Sequence, residues 1–336
     1  MSNKTISPAS LILRVAMFVG IFGVLYGICI VVFPQVKVGS TTVMKLAARN
    51  PVSPGGFGYT LQRFRDVEKY REVDILFLGS SHAYRTYDTR VYEEAGYSAF
   101  NMGTTGQTPL NSYYLMKRYW QQLQPRVVVL DLVYRVIDRD GLECFYDLSS
   151  NMSYSKEFLQ MALEIHSPYA INASLGMWSS SLIGDDAPEA RQKLLRNEFY
   201  IPGGYVEFET WNNDSVGTGP IKTSHIEPNP QQLRFIRKII YFARRNGAKV
   251  VLVTKPEPRE NLVICANYDE LSATFANIAA KAGEQFWDFN RIMEPLDWHK
   301  HFHDREYLNA PGVLIYNSFL LEKLRNEGYL HTADNE

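Results

Sequence analysis

Hydrophobic and polar positions fall into two regimes along the chain, one continuous and one alternating. From Val15 to Phe33 there are 19 residues without a charge, and Leu11 to Leu13 extend the apolar run beyond Arg14. As a helix this stretch spans about 28 Å at ~1.5 Å per residue, close to the ~30 Å hydrocarbon thickness of a bilayer. Arg14 has a stem long enough to carry its charge to the interface, and Pro34 closes the segment where no further backbone donor is needed. A cleaved leader has a shorter apolar region followed by small residues of the Ala-x-Ala kind, whereas this run continues into Gln35, Val36 and Lys37. The expectation is a short tail over residues 1–10 and one transmembrane anchor over residues 11–34. Lys4 and Arg14 precede the span while Lys37, Lys45 and Arg49 follow it, so the positive-inside count does not decide the orientation.

Residues 35–70 hold Gly39, Pro51, Pro54, Gly55, Gly56 and Gly58 with no sustained period, the pattern of a membrane-proximal linker with room for one short helix. Over residues 71–330 apolar strands alternate with amphipathic helices. Val73 to Leu78 is a short apolar run ending at Gly79, Arg90 to Ala95 is helical, and Ala99 starts another strand. Leu110 to Leu123 has helical spacing, and Arg126 to Leu132 reads as a buried strand. The alternation resumes with a helix from Pro230 to Asn246 stopped by Gly247, then a strand from Lys249 to Thr254. A helix from Tyr268 to Ala282, a strand from Gln285 and a helix from Gly312 to Glu327 complete the series. Strands alternating with helices predict an α/β class, a three-layer α/β/α sandwich on a mostly parallel sheet, with ligands at the carboxyl ends of the strands. Residues 145–228, with Trp178, Trp211 and the Gly203-Gly204 pair, interrupt the series and predict a mostly helical insertion forming a wall or lid over those ends.

Charge changes the picture by exclusion. With 35 basic and 36 acidic residues the net charge is −1, which offers no global field for nucleic acid. Cys29, Cys144 and Cys265 are too scattered for a disulfide scaffold or a zinc site, and Cys144 and Cys265 read as unpaired buried thiols. Arg234, Arg237, Lys238, Arg244 and Arg245 form a basic helix face that reads as solvated, and no phosphate-cradling glycine motif occurs, so no cofactor is expected.

Three segments carry candidate chemistry. Leu78-Gly79-Ser80-Ser81-His82 ends the first strand of the body on small hydroxyl residues, which suits a serine nucleophile beside turn amides and equally suits a helix N-cap. Phe100-Asn101-Met102-Gly103 follows the next strand, with backbone amides able to approach a ligand. His299, His301, His303, Asp304, Tyr307, Leu308 and Asn309 precede the last helix; zinc would need a second ligand cluster, so no metal is expected.

In this order the three segments resemble the SGNH (GDSL-like) hydrolase superfamily, over about residues 73–327, and particularly its membrane-anchored branch linked to cell-envelope polysaccharides. The resemblance implies a flavodoxin-like sheet, Ser81 as nucleophile, Gly103 as oxyanion donor, Asn101 and Tyr307 at the substrate, and Asp304 orienting a base. It also implies an extracytoplasmic body, an acylated glycan as substrate and a membrane-bound acyltransferase as partner, as in teichoic-acid D-alanylation or alginate acetylation. The sequence departs from the pattern at the expected catalytic histidine, which is Tyr307. A phenol with an ordinary pKa near ~10 keeps its proton at neutral pH. Asp131 likewise stands where an asparagine is expected, and its charge would oppose an oxyanion. His303, His82 and His301 are alternative bases. Two readings follow: ester hydrolysis or acyl transfer at Ser81, or a catalytically degenerate glycan-binding or adaptor protein.

Overall fold

The computed structural model describes residues 7–39, 41–43, 59–182, 198–208 and 222–330. The N-terminal apolar run is a helix, Pro8–Val32, started by Ser7, whose side chain accepts from the Ser10 N–H, with Pro8 in the first turn. None of its residues is buried, which separates it from a core helix. Two short strands follow, β1 (Lys37–Val38) and β2 (Thr41–Thr42), paired antiparallel.

The body is built on five parallel strands: β3 (Ile75–Leu78), β4 (Ala99–Asn101), β5 (Val127–Asp131), β8 (Lys249–Thr254) and β9 (Gln285–Asp288). Their spatial order is β4-β3-β5-β8-β9, the doubly wound arrangement expected from the alternation of elements. The two-residue period divides the strands between two cores. Leu76, Leu78, Val128, Leu130, Val250 and Leu252 face one side, where the helices Pro109–Leu123, Pro230–Arg245 and Tyr268–Ala282 pack. Ile75, Phe77, Val127, Val129, Val251 and Val253 face the other, against the final helix Ala310–Asn326. The helix Pro230–Arg245 shows why the sequence was readable here. Asn229 caps its start, Phe235, Ile236, Ile239, Ile240 and Ala243 recur on one buried face, and Gly247 leaves it with a positive φ.

Two regions depart from the expected organisation. Within the stretch read as a linker, the helix Thr60–Asp66 is part of the body, with Phe64 in the core and Arg63 fully buried. The Arg63 guanidinium donates to the Gly204 carbonyl from Nε at 3.2 Å and from Nη2 at 2.9 Å. The insertion divides its roles. Its helices Leu142–Asn151, Lys156–Ile165 and Pro168–Leu182 pack on the flank and beside the N-terminal helix. Its antiparallel hairpin, β6 (Glu198–Ile201) and β7 (Tyr205–Phe208), comes to the strand ends. Trp211 lies outside the described residues. Cys144 and Cys265 are both buried and free.

Candidate functional site

The carboxyl ends of β3, β4, β5 and β8 converge: β3 and β4 deliver the first two candidate segments, β5 ends on Asp131, β8 leads into Lys255, and the third segment reaches them from the loop before the final helix. At the end of β3, Gly79 is hemmed in: a Cβ there would stand 2.9 Å from Ala83 Cβ and 2.9 Å from Asp131 Cβ. The chain then turns into the four-residue helix Ser81–Tyr84, with Ser80 as N-cap, its hydroxyl accepting from the His82 N–H at 3.3 Å. The two readings of Gly-Ser-Ser are thus divided between neighbours. Ser80 caps the helix, while Ser81 is half-buried and presents its Oγ 3.0 Å from the Tyr307 hydroxyl.

Tyr307 is held there by a tightly bonded loop. Asp304 Oδ1 accepts from the Glu306 N–H at 2.8 Å and the Tyr307 N–H at 2.9 Å, and the His303 N–H donates to the Tyr307 carbonyl at 2.9 Å. From below, buried Lys255, just past the end of β8, donates to the Glu306 carbonyl at 2.9 Å. Asn309 caps the final helix by accepting from the Gly312 N–H at 3.0 Å. Burial, with Tyr84 nearby, pushes the Tyr307 phenol far above its ordinary value, so it stays protonated.

The hairpin supplies the wall. Glu198 pairs with Arg85 at 2.7 Å, and the Arg85 guanidinium lies 4.0 Å from the Phe208 ring centroid and 4.9 Å from that of Tyr307. The His303 ring stacks on Phe208, with centroids 3.8 Å apart and ring planes nearly parallel. His301 accepts from the Asp297 N–H through Nδ1.

Beneath Ser81 lies a buried ionisable group set. His82 is enclosed, its ring centroid 5.0 Å from that of Tyr307 and its Nδ1 without a hydrogen-bond partner. Burial, reinforced by the charges of Lys255, Arg135 and Arg85, drives its pKa well below 6.5, so the imidazole is neutral at physiological pH. Neither Asp131 oxygen makes a hydrogen bond. Burial lifts that carboxyl to about 7, against the opposing pull of Lys255. The charge that would oppose an oxyanion is therefore only partly present at neutral pH.

The structure thus brings Ser81, Gly103, His303, Asp304 and Tyr307 to one end of the sheet. Asn101, expected at the substrate, is wholly buried; its Nδ2 donates to the carbonyls of Ala83 at 2.9 Å and Tyr87 at 3.0 Å. Its Oδ1 accepts the Gly103 N–H at 3.1 Å, so the amide expected to hold an oxyanion already has a partner. Asn101 is a positioning residue because its polar ends are consumed in fastening two turns together. Asp304 caps the backbone of its own loop. Arg85, Glu198, Phe208 and Lys255 were not singled out by sequence; Lys255 alone carried a signal, as a cation directly after a strand in the row whose ends form the site.

No protein-family model matches the chain, and no curated protein matches it in sequence. Among solved structures it is similar to a putative acylhydrolase from Bacteroides fragilis, at 13% identity and a TM-score of 0.42, covering 82% of this chain and 99% of that one. It is similar to a GDSL-like lipase from Bacteroides thetaiotaomicron at 14% identity and a TM-score of 0.38, covering 79% and 98%. It is also similar to a catalytic mutant of an acetylxylan esterase from Geobacillus stearothermophilus at 13% identity and a TM-score of 0.39, covering 80% and 99%.

Proposed function

We propose that the chain is a membrane-anchored protein of the SGNH type whose serine site does not hydrolyse esters, and that it serves as a glycan-binding or adaptor component in cell-envelope polysaccharide acylation. The observation that carries this reading is the Ser81–Tyr307 contact of 3.0 Å. A serine attacks an ester only when a neighbouring group takes its proton, and the group that meets Ser81 is a phenol whose pKa is raised rather than lowered. Tyr307 can donate to Ser81 or accept a hydrogen bond from it, but it does not act as a base near neutrality. The glycan, the partner acyltransferase and the extracytoplasmic side rest on the sequence motifs. The anchor is supported by an apolar helix, within Pro8–Gln35, that is long enough to span a bilayer and has no buried residue.

The full chain in detergent, treated with a fluorophosphonate serine probe, tests the reading. Wild type and Ser81→Ala are expected to remain equally unlabelled, while Tyr307→His gains a label that a second substitution, Ser81→Ala, removes. Labelling of wild type that vanishes in Ser81→Ala would sink the proposal and establish an activated serine. Its further loss in His303→Ala would then identify His303 as the base.

A further inference from the structure

We infer that the helix Pro168–Leu182 is a second membrane-contacting element, packed along the C-terminal half of the N-terminal helix with its own C-terminal end in the lipid interface. The inference rests on the reading of that N-terminal helix as a membrane anchor. From Ser167 to Gly184 the chain runs 18 residues without a charge. Too rich in Ser, Asn and Gly to span a bilayer, this stretch still presents nothing that the interface would repel.

The helix has three faces with three destinations. Ala170, Ser174 and Met177 are buried against the body. A second face is fastened to the anchor: Tyr26 donates to Asn172 Oδ1, and Gln35 Nε2 donates to Ser180 Oγ at 2.5 Å. The third carries Leu175, Trp178 and Leu182 at i, i+3 and i+7, of which Trp178 is 45% and Leu182 66% exposed. Tyr169, 69% exposed, stands at the start of the helix.

Depth selects the occupant of that third face. The 25 residues of Pro8–Val32 give a helix about 37 Å long, more than the ~30 Å hydrocarbon core and less than the ~40–45 Å of the whole bilayer. The end of the anchor therefore lies in the interfacial zone, where Gln35 meets Ser180, while Tyr26, about 9 Å from the helix midpoint, meets Asn172 within the hydrocarbon, so the neighbouring helix runs along the anchor from the acyl region to the interface. Trp and Tyr favour this zone because they offer an apolar ring with a polar edge. An apolar cavity of about 300 Å³ between the two helices, lined in part by Tyr26, Cys29, Phe33, Tyr146 and Tyr169, continues the same surface. The helix bears no cation, so the partner is the acyl and glycerol region of a zwitterionic phospholipid.

The full chain is reconstituted into phosphatidylcholine nanodiscs, with and without bromine on the acyl chains, as wild type and as Trp178→Phe. Bromolipid is expected to quench wild-type tryptophan emission, and Trp178→Phe is expected to lose most of that quenching. Leu175→Glu with Leu182→Glu is expected to weaken the quenching while the thermal transition of the body stays in place. Equal quenching of wild type and Trp178→Phe in loaded discs would overturn the interfacial helix alone. A chain that does not incorporate into discs at all would overturn the anchor, and this inference with it.

Discussion

Asp131→Asn is expected to stabilise the folded protein above pH ~7 and to remove a decline in stability that wild type shows as pH rises toward that value. The carboxyl ends β5, is 4% exposed, and makes no hydrogen bond with either oxygen. Burial therefore penalises its ionised form, and its pKa rises from 3.8 to about 7. The sign follows from which state holds the proton. Between those two values the unfolded chain has released it while the folded chain keeps it, so raising the pH favours unfolding. The penalty is absent below the unfolded pKa and complete above the folded one. A displacement of that size corresponds to about 4 kcal/mol, the upper bound on what asparagine recovers. Part of the gain is returned because Lys255, buried and dependent on Asp131 and Glu257 for its charge, loses one of them. Chemical denaturation of both proteins across the range isolates the effect as a difference curve. Parallel curves for wild type and Asp131→Asn would refute it. A buried carboxyl retained at such cost beside Ser81 is better explained by the site than by stability.

Gly204→Ala is expected to be the most damaging single substitution in the hairpin, at about 3 kcal/mol or more. Gly204 has φ +100, and a Cβ there would fall 2.1 Å from the Asn101 carbonyl oxygen, which is backbone and cannot move aside. The hairpin turn covers the open edge of β4: the Asn101 N–H donates to the Gly203 carbonyl at 2.7 Å, and the Gly203 N–H donates to Asp66 Oδ2 at 2.8 Å. Displacing it also leaves the buried Arg63 guanidinium without the Gly204 carbonyl. Because the same hairpin carries Glu198 and Phe208, its loss would free Arg85 and uncover the His303 ring. Thermal denaturation reads the stability, and hydrogen exchange at the Asn101 amide reads whether the edge has opened. A variant with wild-type stability and a protected Asn101 amide would show that the turn relaxes around the methyl group.

Much of this protein is legible one residue at a time. The strands β5 and β8 and the helix Pro230–Arg245 were evident because their periods and caps are local, and a period of two or of 3.6 needs no distant partner. The apolar run before Pro34 was equally plain, as were the serine turn and the tyrosine in place of histidine. The hairpin β6–β7 is not, because each four-residue strand is defined by its pairing with the other, and it stands where a mostly helical insertion is expected. The same limit applied to the site. Arg85 and Glu198 are 113 residues apart in sequence, and nothing around either announces an ion pair. Asn101 looked available to a ligand until folding placed the Ala83 and Tyr87 carbonyls and the Gly103 amide around it.

The doubly wound sheet, the candidate anchor and the serine turn are legible in the amino-acid order alone, since backbone propensity and hydrophobic period act over a few neighbouring residues. That Ser81 meets Tyr307, that Asn101 is consumed in holding turns and that a charge-free helix lies beside the anchor emerges from packing alone. Those outcomes depend on burial and on hydrogen bonds between distant segments, which exist only after the chain has packed.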